Sequence, residues 1–222
     1  SGMTGYDGVL GRLQQAIADP DVTGILLDID SPGGQAAGAF DCADMIHRLR
    51  GEKPIWALAN DMACSAAMLL AAACDRRLVT QTSRLGSIGV VMAHTSYAGQ
   101  LEQDGVEITL IFSGGHKVDL NPYQSLPEDV RADCQKRMDD ARTMFAEKVA
   151  QYTQLSLDDV LATEAAVYDG ASAISVGLAD EMVNAADAVN VMASAIRNPE
   201  KTGGNMSQLS AAEAVTQENQ RV

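Results

Sequence analysis

Residues 23–29 read TGILLDI, an apolar run of strand length broken by a single charge. A strand that is apolar at successive positions cannot leave one face in water, so it belongs in a sheet covered on both sides. The turn DSPGG at 30–34 follows, and then Phe40, Ala43, Ile46 and Leu49 recur at helical spacing through about Arg50. The pattern then repeats, with PIWALA at 54–59 as a second buried strand and MACSAAMLLAAAC at 62–74 as a helix of small residues. Buried strands alternating with helices predict parallel pairing through right-handed crossovers, hence an α/β fold with a mostly parallel sheet, βαβ crossovers and flanking helices.

The rest of the chain extends that plan. Val9, Leu13 and Ile17 predict a helix over 6–18, ended by Asp19 and Pro20. Short strands are expected at 77–80 and 88–92, a helix at 97–103, and a further strand at 106–112, VEITLIF. Pro127 opens the longest helix, with Val130, Cys134, Met138, Ala141, Phe145, Val149 and Tyr152 on one stripe. From Asn198 the sequence turns polar and almost free of large apolar residues, so a domain at 1–197 and a flexible tail or linker at 198–222 are expected.

Charge and cysteine usage exclude several classes. A formal net charge of -14, with 30 Asp and Glu against 16 Lys and Arg, argues against nucleic acid or an anionic membrane as partner. The N-terminus carries no recognisable secretory signal, and the most apolar run, 62–74, is too short for the roughly 20 residues a bilayer span needs. Cys42, Cys64, Cys74 and Cys134 form no CxxC pair, and His47, His94 and His116 do not cluster with them. Buried free thiols in a reducing compartment are expected, with no metal and no cofactor.

Three places have chemistry in them, and each also has an ordinary reading. Gly33 and Gly34 sit at the carboxyl end of the first buried strand, where open α/β sheets place ligands. Their bare N–H groups suit an oxyanion, yet a plain strand-to-helix turn uses the same residues. Ser65 stands at the mouth of the small-residue helix, either as a nucleophile at the positive helix end or as a helix cap. Lys117 lies in the glycine-rich stretch FSGGHKVDLNPY at 112–123, either as a delivered amine or as a loop cation among carbonyls.

The order of five motifs adds a resemblance. DSPGG, MACSAAMLLAAACDRRL, LGSIGVV, FSGGHKVDLNPY and TEAAVYDGASAISVGLADE succeed one another as landmarks similar to those of the signal peptide peptidase A family of serine peptidases. The similarity runs from about Tyr6 to Val183, and within the family the chain most resembles the head-maturation proteases of tailed phages related to lambda. The resemblance implies the Clp protease/crotonase-like superfold and a Ser-Lys dyad. Ser65 falls on the nucleophile, Lys117 on the general base and Ser87 on a serine that orients the lysine. Gly33 and Gly34 fall on the oxyanion turn, joined by the backbone of Ala66. Where a glycine commonly follows the nucleophile, this chain has Ala66-Ala67, which narrows the pocket.

The dyad makes a physical demand. A lysine is a base only when neutral, so its pKa must fall by about 3 units, roughly 4 kcal/mol, which calls for a buried site near the sheet edge. The resemblance further implies an endopeptidase acting on scaffold and portal proteins and on itself, with capsid protein as a further partner, inside the procapsid in the bacterial host cytoplasm, as a homo-oligomer. Rival readings use other residues: a Ser-His-Asp protease with His94, a crotonase-type acyl-CoA enzyme, Cys64 as nucleophile, or a non-catalytic scaffold-binding protein. Met206 in the tail resembles the start of a separate scaffold product.

Overall fold

A computed structural model of the chain describes residues 4–198. The tail expectation at 198–222 and the Met206 start therefore fall, beyond Asn198, outside the described residues. Helix α1 spans Tyr6–Ala18, followed by β1 (Ile25–Ser31), α2 (Ala39–Leu49), β2 (Ile55–Cys64) and α3 (Ala66–Ala72). Two short strands, β3 (Arg76–Val79) and β4 (Arg84–Gly86), precede α4 (Ala98–Gln103) and a 3-10 turn at Gly115–Val118. The long α5 (Glu128–Thr153) leads into α6 (Leu157–Ala162), β5 (Val167–Asp169), α7 (Gly170–Ser175), β6 (Glu181–Met182) and α8 (Ala188–Arg197).

The strands form one sheet organised around β2, which pairs in parallel with β1, β3 and β4. Strand β6 adds in parallel to β3, and β5 adds antiparallel to β4. This is a mixed α/β architecture. Strand β2 reaches three neighbours because it divides its length. Trp56–Ala59 face β3, whereas Met62–Cys64 face β4, and the register against β1 shifts between Ile29 and Asp30. A bulge of this kind bends a strand and redirects its end, and the end of β2 delivers Ser65.

Alternation along β2 explains why both faces are apolar. Ile55, Ala57 and Ala59 join a core built with α2, α3 and the end of α5, while Trp56 and Leu58 join Leu78 and the α8 residues Ala188 and Met192 on the other face. All four cysteines are free and buried. Helices α6 and α7 carry side-chain caps, Ser156 Oγ accepting from Asp159 N–H at 3.0 Å and Asp169 Oδ1 from Ser172 N–H at 2.8 Å.

Three expectations need correction. The helix expected from Met62 begins only at Ala66, because Met62–Cys64 are held in the sheet by β1 and β4. Residues 88–92 and 106–112 are not strands: no neighbouring strand offers them a ladder, and Gly89 instead turns back to donate to the Ser87 carbonyl at 2.9 Å. Ile88 still packs into the core, but Val91 is 92% and Ile111 96% exposed. In α5 the expected stripe is buried mainly in the second half, at Phe145, Val149 and Tyr152, plus Cys134 in the first; Val130 and Met138 are only half-buried.

Candidate active site

Strand β2 ends at Cys64 and α3 starts at Ala66, so Ser65 alone makes the turn, at φ 53° and ψ -126°. That conformation is costly for a residue with a Cβ, and strain of this kind concentrates at functional sites. Two contacts force it. The Ser65 N–H donates to the Gly86 carbonyl at 2.9 Å, and its own carbonyl accepts the first helical bond, from Leu69 N–H at 3.1 Å. Ser65 occupies the cap position of α3, yet its side chain makes no capping hydrogen bond. The cap reading therefore does not account for this serine, whose hydroxyl has no partner among the described residues.

The DSPGG turn closes over it. Gly33, at φ +117°, lies so near that an added Cβ would stand 2.6 Å from Ser65 Cβ and 3.1 Å from its Oγ. Only glycine fits both that conformation and that distance. The Gly33 N–H donates to Ser31 Oγ at 3.2 Å, so it is already engaged inside the turn. The Gly34 N–H has no such partner, and the Ala66 N–H at the first position of α3 has no helical acceptor. Gly34, next to Gly33, and Ala66, next to Ser65, thus carry the open donors of the two segments that meet here. Sequence reasoning passed over Ser31, although a serine before Pro-Gly in a turn is a known signal for a local hydroxyl-to-backbone bond.

Ser87 stands beside Ser65 because Cys64 and Gly86 are paired across β2 and β4. It is also left-handed, at φ 54°, and donates its N–H to the Ala166 carbonyl at 2.8 Å. A Cβ on Gly86 would meet that same carbonyl at 2.4 Å. Ala166 in turn is presented by two further left-handed residues, Glu164 at φ 47° and Ala165 at φ 57°. Four of the five non-glycine residues with positive φ among those described, all but Gln154, belong to this one constellation.

Lys117 is placed differently. It sits on the 3-10 turn and is exposed, and its ammonium bonds to neither Ser65 nor Ser87. The burial expected for a basic lysine is absent in the single chain, since the 3-10 turn that carries it has no buried residue. Lys117 instead lines an open cleft of about 430 Å³ with Leu110, Val130, Cys134 and Arg137. Its freedom is nonetheless distinctive. Lys53 bonds the carbonyls of Ala16 and Asp19, Lys136 pairs with Asp140, and Lys148 pairs with Asp44, leaving Lys117 as the one described lysine whose ammonium has no partner.

The rival residues lose ground here. His94 Nε2 is 3.1 Å from the Asn121 carbonyl, a contact that ties two loop segments together. His116 Nδ1 is paired with Asp119 at 2.8 Å. Burial pushes the Cys64 thiol up, away from the thiolate a nucleophile needs, and its Sγ faces the Arg84 carbonyl. Among the described residues no cluster of His, Cys, Asp and Glu is arranged to hold a metal, and no helix is long and apolar enough to cross a membrane.

Comparison with known proteins bears on this constellation. The chain is 68% identical over its whole length to the head-tail preconnector protein GP5 of Enterobacteria phage P21, covering 44% of that protein. It is 64% identical over 93% of its length to the capsid assembly protease C of Escherichia phage lambda, covering 47% of it. A putative signal peptide peptidase SppA of Enterococcus faecium is 27% identical over 83% of the chain and 54% of that protein. The chain thus spans about half the length of these relatives. The profile of peptidase family S49 matches residues 47–197, a stretch that holds Ser65, Ser87, Lys117 and the turn before Ala166, and the chain belongs to that family.

Proposed function

We propose that this chain is the catalytic domain of a serine endopeptidase of phage head maturation, using Ser65 as nucleophile and Lys117 as general base. The observation that carries the reading is the Ser65 hydroxyl, unbonded on a strained strand-to-helix turn and overhung by Gly33. We read the bulged β2 and its flanking helices as the Clp protease/crotonase arrangement, with residues 1–197 as the peptidase domain and 198–222 as the linker towards a scaffold segment.

In the reaction, neutral Lys117 accepts the Ser65 proton as Oγ attacks a peptide carbonyl. The open N–H groups of Gly34 and Ala66 stabilise the oxyanion, with Gly33 shaping the turn that presents them. Lys117 gives the proton to the leaving amine, and, neutral again, takes a proton from the water that releases the acyl group and then returns it to Ser65. Ser87 orients the lysine between steps. No metal or cofactor enters.

The base needs a dry environment that the single chain does not supply. The segment that carries it exposes Ile111, and the loop before α4 exposes Val91; a homo-oligomer that covers these two stretches would bury Lys117 and bring it to Ser65. Scaffold and portal proteins and the protease itself are the proposed substrates, with capsid proteins as partners, inside the procapsid in the host cytoplasm. Co-expression with a scaffold-bearing chain, read by mass, tests the dyad. The native chain is expected to process the scaffold; processing that survived in both Ser65→Ala and Lys117→Ala would end the reading.

A further inference from the structure

Helix α1 lies outside the stretch matched by the family profile, yet its first residue reaches the candidate site. The Tyr6 hydroxyl donates to the Gln35 carbonyl at 2.7 Å, one residue beyond the Gly33-Gly34 pair. The same hydroxyl lies 3.3 Å from where a Cβ on Gly34 would stand, and the ring edge lies 3.2 Å from a Cβ on Gly38. Tyr6 thus packs against the turn at Gly34 and Gly38, while Gly33 is the residue in contact with Ser65. The turn has little else to hold it. Gly33 and Gly34 are followed by four exposed residues, 35–38, and the other ties are Ser31 Oγ on Gly33 and the Ala39 N–H on the Ala36 carbonyl at 3.2 Å. Glycine-rich backbone of this kind orders itself poorly without an outside clamp.

We propose that Tyr6 is a positioning residue that fixes the Gly33-Gly34 turn over Ser65, through its hydroxyl on Gln35 and its ring against Gly34 and Gly38. The clamp presents the Gly34 N–H at a fixed distance from the attacked carbonyl, and oxyanion donors act only within a narrow range of distance. Burial holds the Tyr6 phenol above its ordinary range, so its hydroxyl remains a donor at any working pH. The role in catalysis rests on the reading of Ser65 as nucleophile; the clamp on the turn does not.

The test uses the full chain with two variants, Tyr6→Phe and Tyr6→Ala, and two readouts. One is the rate constant and amplitude of Ser65 acylation by a fluorophosphonate; the other is amide exchange across residues 33–38. In Tyr6→Phe the rate constant is expected to fall about threefold to tenfold at native amplitude, the loss of one hydrogen bond. In Tyr6→Ala it is expected to fall about a hundredfold, with faster exchange in the turn in both. Native rate constants in both variants, or a fall in amplitude alone, would overturn the catalytic role, since a merely structural residue changes the active fraction and not the rate per active site. If native chain is not labelled at Ser65, the nucleophile reading fails, and unchanged exchange in Tyr6→Phe and Tyr6→Ala would by itself overturn the clamp.

Discussion

The Ser65 N–H donates to the Gly86 carbonyl at 2.9 Å, so the turn carrying the candidate nucleophile is fixed by the residue just before Ser87. The two serines therefore leave adjacent parallel strands side by side, each in a left-handed conformation. The Ala166 carbonyl accepts the Ser87 N–H at 2.8 Å, which ties the end of β4 to the turn before β5.

Glycine substitutions test this packing. Gly33→Ala would push a Cβ to 2.6 Å from Ser65 at φ +117°, and Gly86→Ala to 2.4 Å from the Ala166 carbonyl. Each is expected to cost about 1–3 kcal/mol of stability, and Gly33→Ala to cut scaffold processing at least tenfold. Gly11→Ala, inside α1 with nothing within 4 Å of the new Cβ, should instead stabilise by about 0.5–1 kcal/mol. Thermal melts and processing rates on the three variants separate these outcomes.

How far the sequence alone reveals this site depends on where burial was decisive. Strand β2 was legible because residues 55–59 are buried on both faces. Strand β1 was legible from its apolar run alone, since its side chains are at most half-buried and Asp28 and Asp30 are exposed. The run 106–112 has the same apolar content, but no partner strand meets it, and Ile111 is 96% exposed. Apolar content shows that a segment must be covered, not by what. Strand β4 is three residues long, and its place is set by Gly86 passing under the Ala166 carbonyl, a tertiary contact with no periodic trace. Ser65 was legible as a position at a helix mouth, whereas its strain and its missing cap bond appear only once β2 is seen to continue to Cys64.

A pH effect on stability is expected from His47. Its Nδ1 is buried without a partner, its ring lies 4.7 Å from that of Tyr152, and Arg50, Lys148, Asp44 and Asp75 surround it. Desolvation first, then Arg50, lowers its pKa below the ordinary value of 6.5. The unfolded chain therefore takes up the proton first. His47 costs no stability above about pH 6.5, and stability falls as pH drops from there to the folded pKa. His47→Phe keeps the ring and removes the titration, so its Tm should fall less than the native Tm between about pH 7.5 and about pH 5.5. Parallel melting curves for native and variant over that range would contradict the assignment.

Arg77 and Asp180 tie β3 to the segment before β6. The Arg77 N–H and Nη2 both donate to the Asp180 carboxylate, each at 2.6 Å, and the arginine side chain is 8% exposed. Removing the carboxylate strands a nearly buried guanidinium. Asp180→Ala should cost about 3 kcal/mol, read as a lower urea midpoint, and Asp180→Asn less, because the amide oxygen still accepts one of the two bonds.

Lys117→Ala separates stability from activity. The side chain is exposed and its ammonium unpartnered, so the melting free energy should change by no more than about 0.5 kcal/mol. Processing should fall at least a hundredfold with loss of the base. Lys117→Arg should fail equally, since a guanidinium keeps its proton and cannot serve as base. A processing-competent Lys117→Arg would move the base elsewhere.

Replacing both Val91 and Ile111 with Asp tests whether assembly completes the site. These side chains are 92% and 96% exposed, so charging them should leave the stability of the single chain nearly unchanged. If copies of the chain bury these two stretches, each new carboxylate must be desolvated at the contact without a partner, a cost of several kcal/mol that disfavours association. Sedimentation should then show a smaller species than the native chain, with processing lost although Ser65 and Lys117 are intact. An unchanged sedimentation coefficient together with native processing would mean that Lys117 reaches Ser65 within one chain, by folding of the 106–123 segment onto its own sheet edge.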